Sequence, residues 1–504
     1  MKTGFRNATV IAMSDRASIG PIHADVLVDG DVIAAIGPDL DLAGADRVID
    51  AHELLLMPGM VNAHIHTEQN TFRGRYPGLP LEVLMLYAYP LTGAVPLDAE
   101  MIYHRTLLAG IESLKSGVTS ILDDVMEVPH QGLEQLGSVF RAYDKIGMRA
   151  SVSGHLINRP FFETIPYLED MLPDALREKY LRIPPVRLDD YMEFCSQAVD
   201  RFHGSGGGRL QYVVAPSGPQ RCTEEALATV ANFSRTAEVP FHIHILETRV
   251  QRVTGTRLYG RSLIRLMSDL DALHERTSIA HAIWIDDEDI DLIAASGASV
   301  AHNPVCNLRI GSGIAPLRKL LDAGVNVALG TDGISSNDSC RLFDVMKVAG
   351  IVHTLDSLDY ETWPNASEIL WAATRGGARA VGLERQIGSI EVGKKADIVA
   401  LDLCTPSFVP VNNLQNQLVY AENGSSVRIV MVDGAVVVED GRCTKIDEKA
   451  VLREARSTLG AYLAQHAAVE EDARALEPYL RAVFERCAHE HEARLVSTPG
   501  GAVA

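Results

Sequence analysis

The middle of the chain alternates short apolar segments with helical segments, and this rhythm constrains the fold more than any other feature. Helical patterns separate the apolar segments, which is the βαβ order of a parallel sheet. Eight such units fit a closed (β/α)8 barrel of the TIM type, and an open doubly wound sheet is the competing topology. The predicted strands are Met60–His66, Val118–Asp123, Arg149–Gly154, Leu210–Ala215, Pro240–Leu246, Thr277–Ile285, Ala298–His302 and Val325–Gly330.

Both ends of the chain are instead rich in short β segments with turns between them. Residues 1–57 and 386–445 share this character, so we expect one small β-sandwich domain assembled from both termini. Residues 58–385 would form the barrel. Residues 446–504 are charge-rich and helical in pattern, and they predict a C-terminal extension that packs on the barrel or on a neighbouring subunit. The fold class is therefore α/β.

Charge and cysteine usage exclude several classes of partner. Acidic residues outnumber Lys and Arg by 66 to 46, which disfavours nucleic acid and anionic membranes. No apolar run approaches the ~20 residues that span a bilayer, and the N-terminal residues lack the apolar core of a secretory signal. The seven cysteines are scattered without a CxxC pair, which is typical of reduced thiols, so we expect a cytoplasmic location.

Two histidines at the end of the first predicted barrel strand are the first sign of chemistry. Residues i and i+2 of a strand point to the same face, so His64 and His66 lie side by side. A polar run follows them, which places the pair near the carboxyl end of the strand, where barrel enzymes carry their active sites. Two imidazoles on one buried face favour a metal site over a pair of hydrogen-bonded core histidines.

The pattern recurs at the ends of later predicted strands. His242 and His244 form a second same-face pair, and Glu247 follows three residues later. His281 lies on the sixth predicted strand, and Asp332 follows the eighth. Imidazoles with one carboxylate and no thiolate suit a catalytic zinc or iron ion that keeps one position open for water.

These motifs together resemble a known family. Residues 58–66, PGMVNAHIH, resemble the opening metal motif of the amidohydrolase superfamily, and residues 241–247, 301–307, 330–333 and 388–397 resemble the rest of its motif series in order. The resemblance covers roughly residues 1–445. Within the superfamily, the chain is similar to the branch of cytosine and guanine deaminases, S-adenosylhomocysteine deaminases and triazine hydrolases (chlorohydrolases).

The resemblance implies a ligand set for one divalent ion. It assigns His64, His66, His244 and Asp332 as metal ligands, with zinc preferred and iron as the alternative. His242 lies deeper on its strand, and we interpret it as a support behind the ligands. The predicted fourth strand holds no lysine that could be carboxylated, so a single ion is preferred over two.

The resemblance also implies catalytic roles. Glu247 would shuttle protons between the water and the substrate, and His281 would hydrogen-bond the water or the developing oxyanion. Asp332 would take the proton of the water as attack begins. General acid–base help of this kind contributes about 10²- to 10⁴-fold to a rate.

Residues that follow predicted strand ends are candidates for substrate contact. Each could also be solvated or could support its own loop, as Asn337 could by capping a helix. The candidates are Gln69, Arg73, His155, Gln220, Arg221, Asn303 and Asn337.

The expected activity is deamination of an aminated nitrogen heterocycle, which could be a purine, pyrimidine, pterin or triazine. Hydroxide generated at the ion would attack the ring carbon, and ammonia would leave. The alternative keeps the site but displaces chloride or an alkylamine from a triazine, or cleaves an amide, urea or carbamate. A remote alternative is a non-catalytic barrel that only binds a ligand. The partner is a small heterocyclic substrate, and a homo-oligomer is compatible with the resemblance, although no interface is visible in the sequence.

Overall fold

The computed structural model describes residues 1–16, 19–129, 131–181 and 183–497. Residues 498–504 of the predicted C-terminal extension lie outside the described residues.

Within these ranges, eight parallel strands form the central barrel, with Asn326–Leu329 and Asp332–Gly333 as two parts of the eighth strand. Each strand pairs with the next in chain order, and the ring closes where Asp332 pairs with Ile65 of the first strand. This closure confirms the TIM-type barrel and excludes an open sheet. The other strands are Met60–His66, Val118–Asp123, Arg149–Leu156, Leu210–Pro216, Phe241–Ile245, Thr277–His281 and Ser299–His302.

The eighth strand is interrupted, which the sequence pattern does not predict. The expected strand Val325–Gly330 ends at Leu329, and pairing resumes only at Asp332. The side chain of Asn62 holds the break, because its amide nitrogen donates to Thr331 Oγ1 at 2.8 Å and its oxygen accepts from Thr331 N at 3.0 Å. Gly330 is required there, since a Cβ atom would lie 2.4 Å from Asn303 Oδ1.

Helices connect the barrel strands, and their apolar residues recur at helical spacing. Leu133–Ile146, for example, buries Leu136, Val139, Phe140 and Tyr143 along one face. The helices that follow the barrel strands are Leu81–Ala88, Ala99–Lys115, Leu133–Ile146, Leu168–Met171, Asp174–Leu181, Leu188–Phe202, Glu224–Thr236, Arg249–Tyr259, Leu263–Asp269, Asp287–Ser296, Pro304–Arg309, Leu317–Asp322, Ile334–Asn337, Leu342–Val352, Ala366–Trp371 and Gly377–Ala380. Ser205–Gly208 is a single helical turn in which Gly206 and Gly207 are left-handed.

A second sheet is built from strands at both ends of the chain. The two ends meet where Leu54–Pro58 pairs antiparallel with Ile398–Asp402. The joint contribution of both termini is therefore observed, whereas the two-layer sandwich and the domain limits stay predictions. The other strands of this sheet are Lys2–Val10, Ile22–Asp29, Val32–Gly37, Arg47–Asp50, Val427–Val432, Ala435–Glu439 and Arg442–Cys443, and the helix Leu414–Tyr420 lies between two of them.

A buried ion pair ties the barrel to the second sheet. Arg149, the first residue of the third barrel strand, donates from Nε to Asp397 Oδ2 at 2.8 Å and from Nη2 to Asp397 Oδ1 at 3.0 Å. Its Nη2 also donates to Asp433 Oδ1 at 3.1 Å. Arg149 and Asp397 are almost completely buried, so each charge depends on the other for the solvation that water no longer provides.

Two helices, Glu448–Ala473 and Glu477–Ser497, form the C-terminal extension and pack on helices of the barrel. Their apolar residues share one cluster with Val83 and Leu84 of the helix Leu81–Ala88. No helix in the described part of the chain has the length and apolar character needed to cross a bilayer. All seven cysteines are described, and none forms a disulfide.

We expect Arg149→Met to lower the free energy of unfolding by about 3–5 kcal/mol, because the Asp397 carboxylate would remain buried without its partner. Chemical denaturation monitored by circular dichroism measures this change. Arg141→Met, which removes the exposed pair with Glu100, is the control and should cost at most about 1 kcal/mol. The double variant Arg149→Met/Asp397→Asn should recover part of the loss, and equal losses for Arg149→Met and Arg141→Met would contradict this account.

Candidate active site

The first barrel strand presents His64 and His66 to the interior, and both rings are buried. His64 Nδ1 lies 2.8 Å from His242 Nε2, so one nitrogen of the His64 ring is already engaged. Its Nε2 atom is buried, has no hydrogen-bond partner among the described residues, and lies 3.2 Å from Asp332 Oδ1. His242 therefore lies behind His64, and His64 turns its free nitrogen toward the carboxylate.

His66 and His244 face each other through their Nε2 atoms at 3.1 Å. Their Nδ1 atoms contact backbone carbonyls, Asp124 O at 2.6 Å and Ser217 O at 2.9 Å. Carbonyl oxygens accept hydrogen bonds, so each ring donates from Nδ1 and directs Nε2 toward the other ring. Two neutral rings would meet with facing lone pairs, which only a positive charge between them can satisfy: a proton on one ring, or a cation that binds both nitrogens. The arrangement therefore fits a metal ion.

Asp332 joins the histidines because of the break in the eighth strand. Its backbone is left-handed, with a φ of 63°, which follows from the turn at Gly330 and Thr331. Its Oδ1 lies 3.5 Å from His66 Nε2, in addition to the contact with His64. Burial would raise the pKa of this carboxyl group, but His64 and His281 hold it well below the usual range.

A second carboxylate, Asp124, also lies beside the histidines and was not predicted from the sequence. It is 3.8 Å from His244, but it faces Nδ1, the nitrogen that already donates to Ser217. Its oxygens are engaged by His155 Nε2 at 2.7 Å and by the hydroxyl of Ser153. Asp124 is therefore less available to a metal ion than Asp332.

The imidazoles differ in their electrostatic surroundings. Burial lowers the pKa of His64, and it lowers the pKa values of His242 and His244 well below the usual range. These rings are neutral, and the neutral imidazole is the form that binds metals. Burial also opposes a charge on His66, but Glu68 outweighs it and raises the pKa of His66 to about 10. A metal ion at His66 would have to displace that proton.

Glu247 and His281 face the same carboxylate from the fifth and sixth strands. His281 Nε2 lies 3.6 Å from Glu247 Oε2 and 3.6 Å from Asp332 Oδ2. His281 Nδ1 lies 2.9 Å from Asn307 Oδ1, which fixes the orientation of the ring. Burial raises the pKa of Glu247 to about 7, so this group can both give and take a proton near neutral pH.

A cavity opens beside these groups at the carboxyl ends of the strands. Of the predicted substrate contacts, Gln69, His155 and Arg221 line it. Leu81, Leu84 and Met85 of the helix Leu81–Ala88 form an apolar wall, to which Met126 and Ile310 contribute.

The other four predicted contacts are not part of the cavity wall, because each side chain is engaged or enclosed elsewhere. Arg73 forms an ion pair with Glu112, and Gln220 is buried beside Gly218. Asn303 lies behind His281, with Nδ2 3.4 Å from its Nδ1, and Asn337 donates to Thr331 O at 2.6 Å.

The wall also contains residues outside the seven predicted substrate contacts. Tyr89 OH accepts from Gln69 Nε2 at 2.8 Å and contacts Glu68, while Cys306 and Ser336 line the cavity near Asp332. A doublet of aspartates at the end of the second strand was a visible signal for Asp124. The apolar and aromatic run of residues 84–91 was a signal for Tyr89, because such a run can cover a flat heteroaromatic substrate, although it is equally typical of a helix that packs on the barrel.

Known proteins resemble this chain over most of its length. A 5-methylthioadenosine/S-adenosylhomocysteine deaminase from Desulforudis audaxviator is 35% identical over 462 residues, which cover 91% of this chain and 98% of the relative. An adenosine deaminase from Xanthomonas campestris, solved with bound zinc, is 27% identical with a TM-score of 0.80, covering 92% of this chain and 98% of that one. An atrazine chlorohydrolase from Arthrobacter aurescens, complexed with zinc, is 25% identical with a TM-score of 0.82, covering 91% and 100%.

The profile of the amidohydrolase family matches residues 55–437, which include the whole barrel and the strands that join it to the second sheet. The motif series, the closed barrel and this match agree. The chain belongs to the amidohydrolase family.

Proposed function

We propose that this protein is a mononuclear metal-dependent hydrolase that deaminates a 6-aminopurine nucleoside and releases ammonia. The observation that carries the proposal is the convergence of three imidazoles on the Asp332 carboxylate: His64 and His66 lie 3.2 and 3.5 Å from Oδ1, and His281 lies 3.6 Å from Oδ2. Glu247, a buried carboxyl group with a pKa of about 7, borders the same point.

The ion would be held by His64, His66, His244 and Asp332, with zinc preferred and iron as the alternative. Zinc is present in the two solved structures compared above, and three imidazoles with one carboxylate suit either metal. When bound, such an ion lowers the pKa of a water from 15.7 toward about 7 and so supplies a nucleophile at neutral pH.

The protons of the reaction pass through Asp332 and Glu247. Asp332 takes one proton from the attacking water as the oxygen of that water adds to C6 of the purine. Glu247 gives its proton to N1, and His281 hydrogen-bonds the attacking oxygen through Nε2. As the C6–N bond breaks, the amine takes the proton from Asp332 and leaves as ammonia, and the C6 hydroxyl proton returns to Glu247. The products are a 6-oxopurine and ammonia, and both carboxyl groups regain their starting states.

The choice of a nucleoside rests on the relatives. The relative that is 35% identical is named for two adenosine derivatives, and the deaminase structure is named for adenosine. Displacement of chloride or an alkylamine from a triazine, or cleavage of an amide, urea or carbamate, could use the same groups, but the chlorohydrolase is only 25% identical. A non-catalytic barrel has little support, because all the expected ligand and proton-transfer positions are filled.

The proposal also includes the expectations from the sequence about partners, location and domain organisation. They are a small-molecule partner, a cytoplasmic location, no nucleic acid or membrane partner, and a small β-sandwich domain of residues 1–57 and 386–445. Assembly into homo-oligomers stays a prediction.

We expect His64→Asn to reduce bound zinc from about one ion per chain to about a tenth or less, because a ligand is lost. Elemental analysis after dialysis against zinc and then buffer measures this content. His242→Asn should weaken zinc affinity by about 10- to 100-fold without abolishing binding, because it removes the partner of a ligand. His302→Asn is the matched control: this buried histidine ends the seventh strand but pairs with His353 at 3.1 Å, so zinc content should not change. Unchanged zinc in His64→Asn would refute the assigned ligand set.

We expect Glu247→Gln to lower kcat for deamination by about 10²- to 10⁴-fold while zinc content stays the same, because the amide cannot transfer the proton. Ammonia release from adenosine, 5-methylthioadenosine, S-adenosylhomocysteine, cytosine, a pterin and an aminotriazine provides the measurement. Glu225→Gln, an exposed residue of a barrel helix, is the control and should keep full activity. Release of chloride or alkylamine from triazines, with no ammonia from any nucleoside, would favour the alternative function.

A further inference from the structure

One charged side chain in the cavity wall has no counterion. Arg221 ends a short turn after the fourth strand, Pro219–Arg221, and its guanidinium borders the cavity together with Glu247, His281 and Asp332. Its guanidinium donates from Nη1 to Ser217 Oγ at 3.0 Å. In the described part of the chain, Arg221 forms no ion pair. A guanidinium carries five N–H donors, and the bond to Ser217 uses one of them.

The other arginines near the cavity are paired, which makes Arg221 distinctive. Arg73 pairs with Glu112, and Arg309 pairs with Asp338 at 2.6 Å. Burial lowers the pKa of Arg221, although the carboxylates of Glu247 and Glu82 act in the opposite direction. Arg221 is half-buried, so its guanidinium keeps only part of its hydration, and a ligand that supplies an acceptor would stabilise it.

The backbone around Arg221 is anchored, so the guanidinium is held in place. The carbonyl of Arg221 accepts from Asn158 N at 3.1 Å and from Arg159 N at 3.2 Å. Ser217, which accepts the Arg221 hydrogen bond through its hydroxyl, also holds His244 through its carbonyl. Arg221 is therefore next to the reaction centre, where the heterocycle itself would lie rather than a distant substituent.

We propose that Arg221 is a specificity-determining residue that donates a hydrogen bond to an acceptor on the edge of the heterocycle, either N3 or N7 of a 6-aminopurine. This inference rests on the proposed function. In that reaction Glu247 gives its proton to N1, so N3 and N7 are the ring nitrogens left as acceptors. Leu81, Leu84 and Met85 offer no donor to either nitrogen, and Gln69 Nε2 and His155 Nε2 in the same wall already contact Tyr89 OH and Asp124 Oδ2. Arg221 therefore selects heterocycles that present an acceptor at this edge.

The test combines enzyme variants with substrates that lack one acceptor. Ammonia release from adenosine, 3-deazaadenosine and 7-deazaadenosine is measured as kcat/KM for the wild type and for Arg221→Met. The analogues differ from adenosine in intrinsic reactivity, but the same difference applies to both enzymes and cancels in the comparison. On one of the two analogues, we expect kcat/KM relative to adenosine to fall about 10- to 100-fold further in the wild type than in Arg221→Met. This is the effect expected for loss of a hydrogen bond to a charged group.

A second measurement does not depend on turnover. The affinity for inosine, the product of adenosine deamination, is measured by calorimetry, since inosine keeps both N3 and N7. Arg221→Met should weaken this affinity by about 10- to 100-fold, and Arg221→Lys should restore part of it. Arg159→Met is the matched control, because its guanidinium already contacts Tyr259 OH at 2.7 Å and Glu163 at 3.1 Å. Zinc content and circular dichroism should be the same in all variants.

The outcomes separate the inference from the function on which it rests. If the wild type releases no ammonia from adenosine or its derivatives, the proposed function fails and the role of Arg221 fails with it. If the wild type is active but Arg221→Met loses the same factor on all three substrates, Arg221 acts through Glu247 and the inference is wrong. Equal kcat/KM values in Arg221→Met and the wild type on adenosine would also overturn it.

Discussion

Closure of the barrel between its eighth and first strands is the contact on which both the fold and the site depend. The pairing of Asp332 with Ile65 completes the ring, and Ile65 lies between the two histidines of the first strand. The backbone contact that closes the barrel thus also brings the carboxylate to the imidazoles. Asn62 secures this junction by bonding Thr331 across the same gap, so the geometry of the site cannot relax without loosening the ring.

Those parts of the molecule that follow from local periodicity could be predicted from the sequence. Alternation of apolar strands and helices indicated the barrel, and strand-end polar residues indicated where the chemistry lies. Strand alternation also puts His242 and His244 on one face, so spacing alone does not rank them. The position along the strand does distinguish them, because His242 lies deeper in the barrel and contacts His64 from behind. That contact joins residues far apart in the chain and has no local signature.

The substrate contacts were harder to predict, because position after a strand does not determine where a long side chain goes. Arg73 follows the first strand but turns to Glu112 of the helix Ala99–Lys115. Asn337 follows the eighth strand, yet its amide supports the backbone at Thr331. The interruption of the eighth strand was also hard to predict, because its cause is an asparagine side chain on the first strand. The apolar run that ends at Leu329 does not show that pairing resumes at Asp332.

The C-terminal helices have a consequence for the order in which the protein can mature. Glu470 accepts from Arg75 Nε at 2.7 Å and from Tyr76 OH at 2.7 Å, and His466 Nε2 bonds the carbonyl of Tyr87 at 2.8 Å. These contacts support the helix that forms the apolar wall of the cavity, although they come from the opposite end of the chain. A ribosome delivers the barrel strands first and these helices last. The chamber for a substrate is therefore complete only after the last part of the chain to be synthesised has packed against the barrel.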